Sequence, residues 1–393
     1  MATGNKTKQP KVLVVGFFGA GNVGDEAILL THWFILRRYF TIVATCINKS
    51  ELLEKLGIEC ISLKPSNFFK IIKELISVKL VFVSGGFLAN KLQPYGALPY
   101  IIVLLLAKLI GKKIIFSGIS VGPLQKNVLF PLLITVLRFG DVIMLRDVFS
   151  LYHLNYVHDL NQRVIIGADV ALLLDLFKRE LRSGEKIVFS KQNSLRERGP
   201  KVLFVLPLRY KNRKIWKTIV WERKYKNYVE SIASIADYVI EKLNGVPLFL
   251  AFYKDDVYLC IDVVKTMRYK NNAIIIPYKL DMGFVMDVLK NVDVVIAGRY
   301  HAMIFSLISE TPMIPVVYHP KCYDLVYRLR QKMYVENGDG IEWYNRDIDV
   351  KKAIETLHHM LEEKTIITRL YKQYKVSLLS KLLHYLELIL RIV

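Results

Sequence analysis

Short, wholly apolar runs alternate with longer stretches whose apolar residues recur every three or four positions. The alternation begins with KVLVVG (11–16), an uninterrupted apolar run of strand length, followed by the helical spacing of AILLTHWFILRRYF (27–40) and a second strand, TIVATCI (41–47). The same rhythm predicts a helix over 67–77, a strand over 79–86 ending in a Gly pair and a helix over 97–111. A strand and turn over 112–123, a helix over 129–140 and a strand over 141–147 follow. Strands that are apolar on both faces and separated by helices predict a parallel sheet covered on both sides.

The pattern lapses over FKRELRSGEKIVFSKQNSLRERGPK (177–201), rich in charge, Ser and Gly, and a linker is expected at 181–200. It resumes with strands at 202–208, 246–253, 273–277, 292–298 and 313–318, and the chain ends in an amphipathic helix over 377–393. The expectation is α/β: two Rossmann-like, doubly wound domains, 1–180 and 201–375, then a terminal helix from 376. Their strand carboxyl ends are free to face a shared cleft.

Length and charge sharpen this picture. A chain of 393 residues suits two domains, and 53% hydrophobic residues supply a large core. The net charge of +21 points to anionic partners: a phosphate-rich substrate, an acidic membrane surface or nucleic acid. Cys46, Cys60, Cys260 and Cys322 lie far apart without a CxxC or Cys/His cluster, so neither a metal site nor a disulfide framework is indicated, and a reducing cytosol is the simpler reading. Lys6, Lys8 and Lys11 before an apolar run imitate a signal peptide, but Asp25 and Glu26 follow too soon. The longest apolar run, 128–137, contains Pro131 and is far short of the roughly 18 residues of a spanning helix.

Chemistry concentrates at strand ends. After the first strand, Gly16, Gly19, Gly21 and Gly24 precede a helix that opens with Asp25 and Glu26. Glycines let a ligand approach the backbone, and a helix N-terminus favours an anion. Gly19, Gly21 and Gly24 spell G-x-G-x-x-G, but a carboxylate directly after it is badly placed against a pyrophosphate, and the second strand ends without the acid a dinucleotide needs. Taken alone, Asp25 suits a helix cap as well as a catalytic role.

The strand at 292–298 delivers Arg299 and His301, and the next one His319 and Lys321, a set able to bind phosphate and carboxylate and to offer a proton. Arg146 and Asp147 end a strand in the first half, as a carboxylate or phosphate clamp or as a surface pair. Gly85, Gly86 and GISVGP (118–123) form further Gly-rich ends. The stretch 209–228 interleaves Arg and Lys with Trp216, Trp221 and several Tyr; it suits anionic headgroups or a solvated face, and no nucleic-acid signature accompanies it.

With these residues assembled, the sequence resembles the polysaccharide pyruvyl transferase family. The resemblance runs through VVGFFGAGNVGDEAIL, VSGGFL, GISVGPL, MLRDVFS and ADVALLL, and is strongest at VIAGRYHAMIFSLISETPMIPVVYHPK. It implies an architecture like the B-type glycosyltransferases and transfer of a pyruvyl unit from phosphoenolpyruvate to saccharide hydroxyls, forming a ketal, with no cofactor or metal. By motif it implies catalytic roles for Asp25, Arg146, His301 and Lys321, lining one cleft, and substrate contacts from Gly21, Asn22, Gly24, Glu26, Gly85, Gly86, Arg299 and His319. His319 is a departure, since an acid often precedes Pro-Lys in the family. A B-type glycosyltransferase using a nucleotide sugar is the alternative. The expected partners are phosphoenolpyruvate, a saccharide either free or lipid-linked, and an anionic membrane touched at the cytoplasmic face; nucleic acid is not expected.

Overall fold

The structure is a computed structural model that describes residues 9–88, 96–122, 129–154, 164–181, 199–208, 219–317, 320–329 and 348–392. The chain divides into two compact units. One comprises residues up to Gly21, Asp25–Leu173 and Ser380 onward; the other comprises Asn22–Gly24 and Leu174–Leu379.

The first unit carries strands β1 (Lys11–Phe18), β2 (Thr41–Cys46), β3 (Glu59–Ile61), β4 (Val78–Leu88), β5 (Lys113–Val121), β6 (Val142–Leu145) and β7 (Val164–Ile166). They form one parallel sheet in the order β3-β2-β1-β4-β5-β6-β7. Its helices are α1 (Val23–Leu36), α2 (Glu51–Lys55), α3 (Phe68–Ser77), α4 (Leu98–Leu109), α5 (Leu129–Arg138) and α6 (Val148–Leu154). The chain winds outward from β1 to β3, then returns to β4 on the other side. The carboxyl ends of β1 and β4 therefore flank the point where the winding reverses, the place such sheets leave open for a ligand.

The second unit repeats the plan with β8 (Lys201–Val205), β9 (Val246–Leu250), β10 (Ile274–Ile276), β11 (Val294–Ala297) and β12 (Met313–Pro315), parallel in the order β10-β9-β8-β11-β12. Its reversal lies between β8 and β11. The remaining helices are α7 (Ile219–Glu241), α8 (Asp256–Thr266), α9 (Met282–Lys290), α10 (Tyr300–Ser309), α11 (Pro320–Arg328), α12 (Val350–Glu362) and α13 (Lys364–Leu390).

The apolar strands are buried as their composition requires. In the first unit Leu13, Val15, Val81, Val83, Ile114 and Phe116 pack against Ile71, Leu75, Ile101, Leu104, Leu133 and Leu137 of α3, α4 and α5. The opposite face takes α1, where buried His32 donates from Nδ1 to the Ile28 carbonyl at 2.8 Å and accepts at Nε2 from the Ser117 hydroxyl at 3.1 Å. Burial pushes this imidazole down to about 4, so it is a neutral core histidine.

The structure differs from the sequence reading in several details. The strands β3 and β7 have three residues each, too few to show a pattern. Helix α1 starts at Val23 rather than 27, because Gly21 turns the chain early, and α13 starts at Lys364 rather than 377. The cysteines are a correction: Cys46 and Cys60 are joined as a disulfide, with Cα atoms 5.7 Å apart. β3 pairs directly with β2, bringing the two together across an intervening helix that sequence spacing does not reveal. Cysteine spacing therefore carries no argument about compartment. The expected linker falls mostly on 182–198, outside the described residues.

Candidate active site

The loop after β1 is built around two glycines in the left-handed region, Gly19 (φ 71°) and Gly21 (φ 79°). A Cβ on Gly19 would also overlap the Asn48 carbonyl, so this tight turn admits no side chain. Glu26 locks it from beneath: fully buried, it accepts the Gly19 N–H at 2.7 Å. Burial pushes this carboxyl up to about 7; the Gly19 bond opposes the shift and the charge of Asp25 adds to it. Glu26, expected as a substrate contact, lies buried under the loop and holds its backbone.

Asp25 is half-buried at the start of α1 and points toward the end of β4. Its Oδ1 is 3.9 Å from where a Cβ on Gly85 would stand, and Gly85 has φ 96°. Tyr100, in the first turn of α4, faces the same carboxylate: burial first, then the Asp25 charge, pushes its phenol up to about 12. Gly86 follows, half-buried. Asp25, Gly85 and Tyr100 therefore gather at the reversal of the first sheet.

Arg146 lies deeper. Its Nη1 meets Asp169 at 2.5 Å and its Nε donates to the Ser120 hydroxyl at 2.6 Å, with only 1% of the side chain exposed. Ser120 donates on to Asp147 at 2.6 Å, and Asp147 accepts from both the N–H and the hydroxyl of Ser150 at 2.7 Å. Arg146 and Asp147 are both buried, so the surface location considered from sequence is not the one they take. Arg146 instead joins the ends of β5 and β6 to the segment around Asp169.

In the second unit, Arg299 ends the turn after β11 and grips Asp256 with two nitrogens, Nε at 2.8 Å and Nη2 at 2.5 Å. Asp256 is fully buried and also accepts the N–H groups of Leu208 at 2.8 Å and Tyr253 at 3.1 Å. One carboxylate thereby ties the strand ends of β8, β9 and β11. His301, 8% exposed, stands in the first turn of α10, its ring edge-on to Tyr300 with centroids 5.3 Å apart. Lys321, at the start of α11, places Nζ 5.3 Å from the Tyr300 ring centre. Tyr300 so lies against both residues. His319 lies outside the described residues.

Residues Asn22–Gly24 of the Gly-rich loop belong to this second unit. The Val23 N–H bonds the Phe252 carbonyl at 2.8 Å, and Asn22 bridges to Tyr253. Gly24 is pressed onto the His301 ring: a Cβ added there would fall inside the imidazole. The residue preceding Asp25 in the chain therefore touches the histidine that the strand end of β11 supplies.

Sequence reasoning missed Tyr100, Ser120, Asp169, Asp256 and Tyr300. Tyr300, Ser120 and Asp169 carried a signal, lying inside GRYHA, GISVGPL and ADVALLL, whereas Tyr100 and Asp256 act through contacts distant in the chain. Among the described residues, no group of three or more His, Cys, Asp and Glu is placed to hold a metal ion.

Two doubly wound parallel sheets define an α/β protein of the B-type glycosyltransferase architecture. Solved structures share it. The fold is similar to MnaA of S. aureus in a co-structure with UDP (TM-score 0.59, 11% identity, 93% of this chain and 91% of that one). It is similar to a glycosyltransferase of Rickettsia africae (0.59, 11%, 98% and 97%) and to UDP-GlcNAc 2-epimerase of Neisseria meningitidis bound to UDP-GlcNAc (0.56, 13%, 96% and 99%). Identities this low establish the fold alone. No curated protein matches the chain. The family model for polysaccharide pyruvyl transferase matches residues 22–320, and the chain belongs to that family.

Proposed function

We propose that this transferase moves a pyruvyl unit from phosphoenolpyruvate to two hydroxyls of a saccharide, forming a ketal and releasing phosphate, in cell-surface glycan synthesis. The observation that carries the reading is the match of the polysaccharide pyruvyl transferase family model to residues 22–320, within which His301 packs on Gly24 of the Gly-rich loop.

In the proposed reaction His301 gives a proton to the methylene carbon C3 of the donor, leaving C2 electrophilic. Asp25 takes the proton of the first hydroxyl as its oxygen bonds to C2. The C2–O bond to phosphate then breaks, the second hydroxyl adds at C2, and its proton leaves with phosphate. Lys321 and Arg299 supply positive charge for the donor. Arg146 acts from below, keeping the ends of β5 and β6 ordered, consistent with its buried pairing to Asp169. Tyr100 shares the acceptor side with Asp25. Gly21, Asn22, Gly85, Gly86 and His319 remain proposed substrate contacts. Phosphate release from phosphoenolpyruvate tests the reading. Release that requires a candidate glycan, and that His301→Ala abolishes, supports it; release unaffected by His301→Ala removes the histidine from the acid role.

The acceptor is proposed to reach the enzyme at the cytoplasmic face of an anionic membrane. The basic stretch 209–228 fits that role less well than its sequence suggests: 209–218 lie outside the described residues, Tyr228 is fully buried, and Tyr225 donates to Asp262 at 2.6 Å.

A further inference from the structure

The layer of α3, α4 and α5 presents solvent with a face that is apolar where a surface helix is ordinarily polar. Helix α4 buries Ile101, Val103, Leu104 and Ala107 and half-buries Leu105 and Leu106, yet it exposes Ile102 and Leu109, followed by exposed Ile110. Leu109 is 83% exposed. Helix α3, packed beside it, buries Ile71 and Leu75 and turns Phe69 and Ile76 outward, with Phe69 also 83% exposed. Leu132 of α5 continues the surface on the other flank. A helix apolar on all sides has two apolar environments to satisfy, and the sheet supplies only one.

The exposed charged residues on and beside these helices are predominantly basic: Lys64, Lys70, Lys73, Lys108, Lys113 and Arg138 are exposed, and of these Lys70 meets Glu59 at 3.5 Å. From Lys64 to Arg138 the sequence carries ten Lys and Arg but one acid, Glu74, and that acid is turned inward onto Lys11 at 3.0 Å. Lys112 reinforces the layer, donating to the carbonyls of Ile76 at 2.9 Å and Val78 at 2.7 Å. A second copy of this face would set like charges against each other. Among the described residues no helix is long and apolar enough to cross a membrane, and α4 has twelve residues where a span needs about 20.

We propose that the outer face of α3, α4 and α5 is a membrane-interfacial surface: Phe69, Ile76, Ile102 and Leu109 enter the headgroup–acyl boundary of an anionic bilayer, and the exposed lysines meet lipid phosphate. This surface needs neither donor nor acceptor, so it stands or falls apart from the transfer reaction. Apolar insertion and electrostatic attraction act together in such surfaces, and screening weakens the second.

The test is co-sedimentation of the full chain with vesicles of phosphatidylglycerol and phosphatidylcholine, against phosphatidylcholine alone. The parent is expected to bind the anionic vesicles, less at high salt. Phe69→Ser with Leu109→Ser should lower partitioning about tenfold or more. Circular dichroism checks folding, and Lys70→Ser with Lys73→Ser, both at exposed positions, provides an independent variant expected to weaken binding as well. Undiminished binding of either folded variant overturns the proposal, and so does a parent that ignores anionic vesicles. A parent that forms a dimer, with the Phe69→Ser, Leu109→Ser variant monomeric by ultracentrifugation, would assign the face to a second copy and overturn it too.

Discussion

Gly24 has no room for a side chain, and the obstacle is the His301 ring. Gly24→Ala is therefore expected to displace the imidazole and cut turnover at least about tenfold, a misplacement effect of the kind that positioned acids suffer. Steady-state kinetics beside a melting curve check it: turnover should fall far more than stability does. Glu26 gives a pH-dependent expectation. Folded Glu26 keeps its proton to about pH 7, whereas the unfolded chain releases it near 4.5. Between these values the folded state binds more protons, so the stability it contributes is full below about 4.5 and lost as pH rises through 7. Relative to Glu26→Gln, the parent should lose about 2 kcal/mol from pH 5 to pH 8, read by urea unfolding. At this scale the sequence is only partly legible. Asp25 and His301 stood out in the sequence because each lies in the first turn of the helix that follows a strand. The pairing of Arg146 and the parts played by Tyr100 and Asp256 depend on partners tens of residues away.

Helices and strands were far more legible, because uninterrupted apolar runs can only be buried strands when helices flank them. What escaped was short or polar. β3 and β7 are too brief to alternate, and the first half of α13, KTIITRLYKQYK, carries cations on most of its turns. One of those cations is a buried anchor. Lys375, 5% exposed in its side chain, bonds Glu310 at 2.6 Å and Asp175 at 3.2 Å. Burial alone would lower its pKa, but the Glu310 bond and the two carboxylate charges raise it. Removing one partner from a buried ionic cluster leaves the others uncompensated. Lys375→Ala should cost about 3 kcal/mol by denaturant unfolding, and a loss within experimental error would show the cluster to be solvated.

For the whole molecule, two parallel sheets each reverse their winding where the chemically equipped loops lie: the Gly-rich turn and Gly85 in one unit, Arg299 and His301 in the other. The charge of +21 that first suggested anionic partners is consistent with a doubly anionic donor and with a lipid surface. Fold alone does not choose between pyruvyl and glycosyl transfer; membership of the pyruvyl transferase family does so at the level of class. The central claim concerns what becomes of the donor carbon. Phosphoenolpyruvate labelled with carbon-13 at C2 and C3 should be incubated with the enzyme and a panel of nucleotide-linked and lipid-linked saccharides, and the purified glycan followed by NMR. The account predicts that C3 becomes a methyl group and C2 a ketal carbon bonded to two sugar oxygens, with one phosphate released per label incorporated. A glycan that keeps the C3 methylene, or one that gains no label while a nucleotide sugar is consumed, would contradict it.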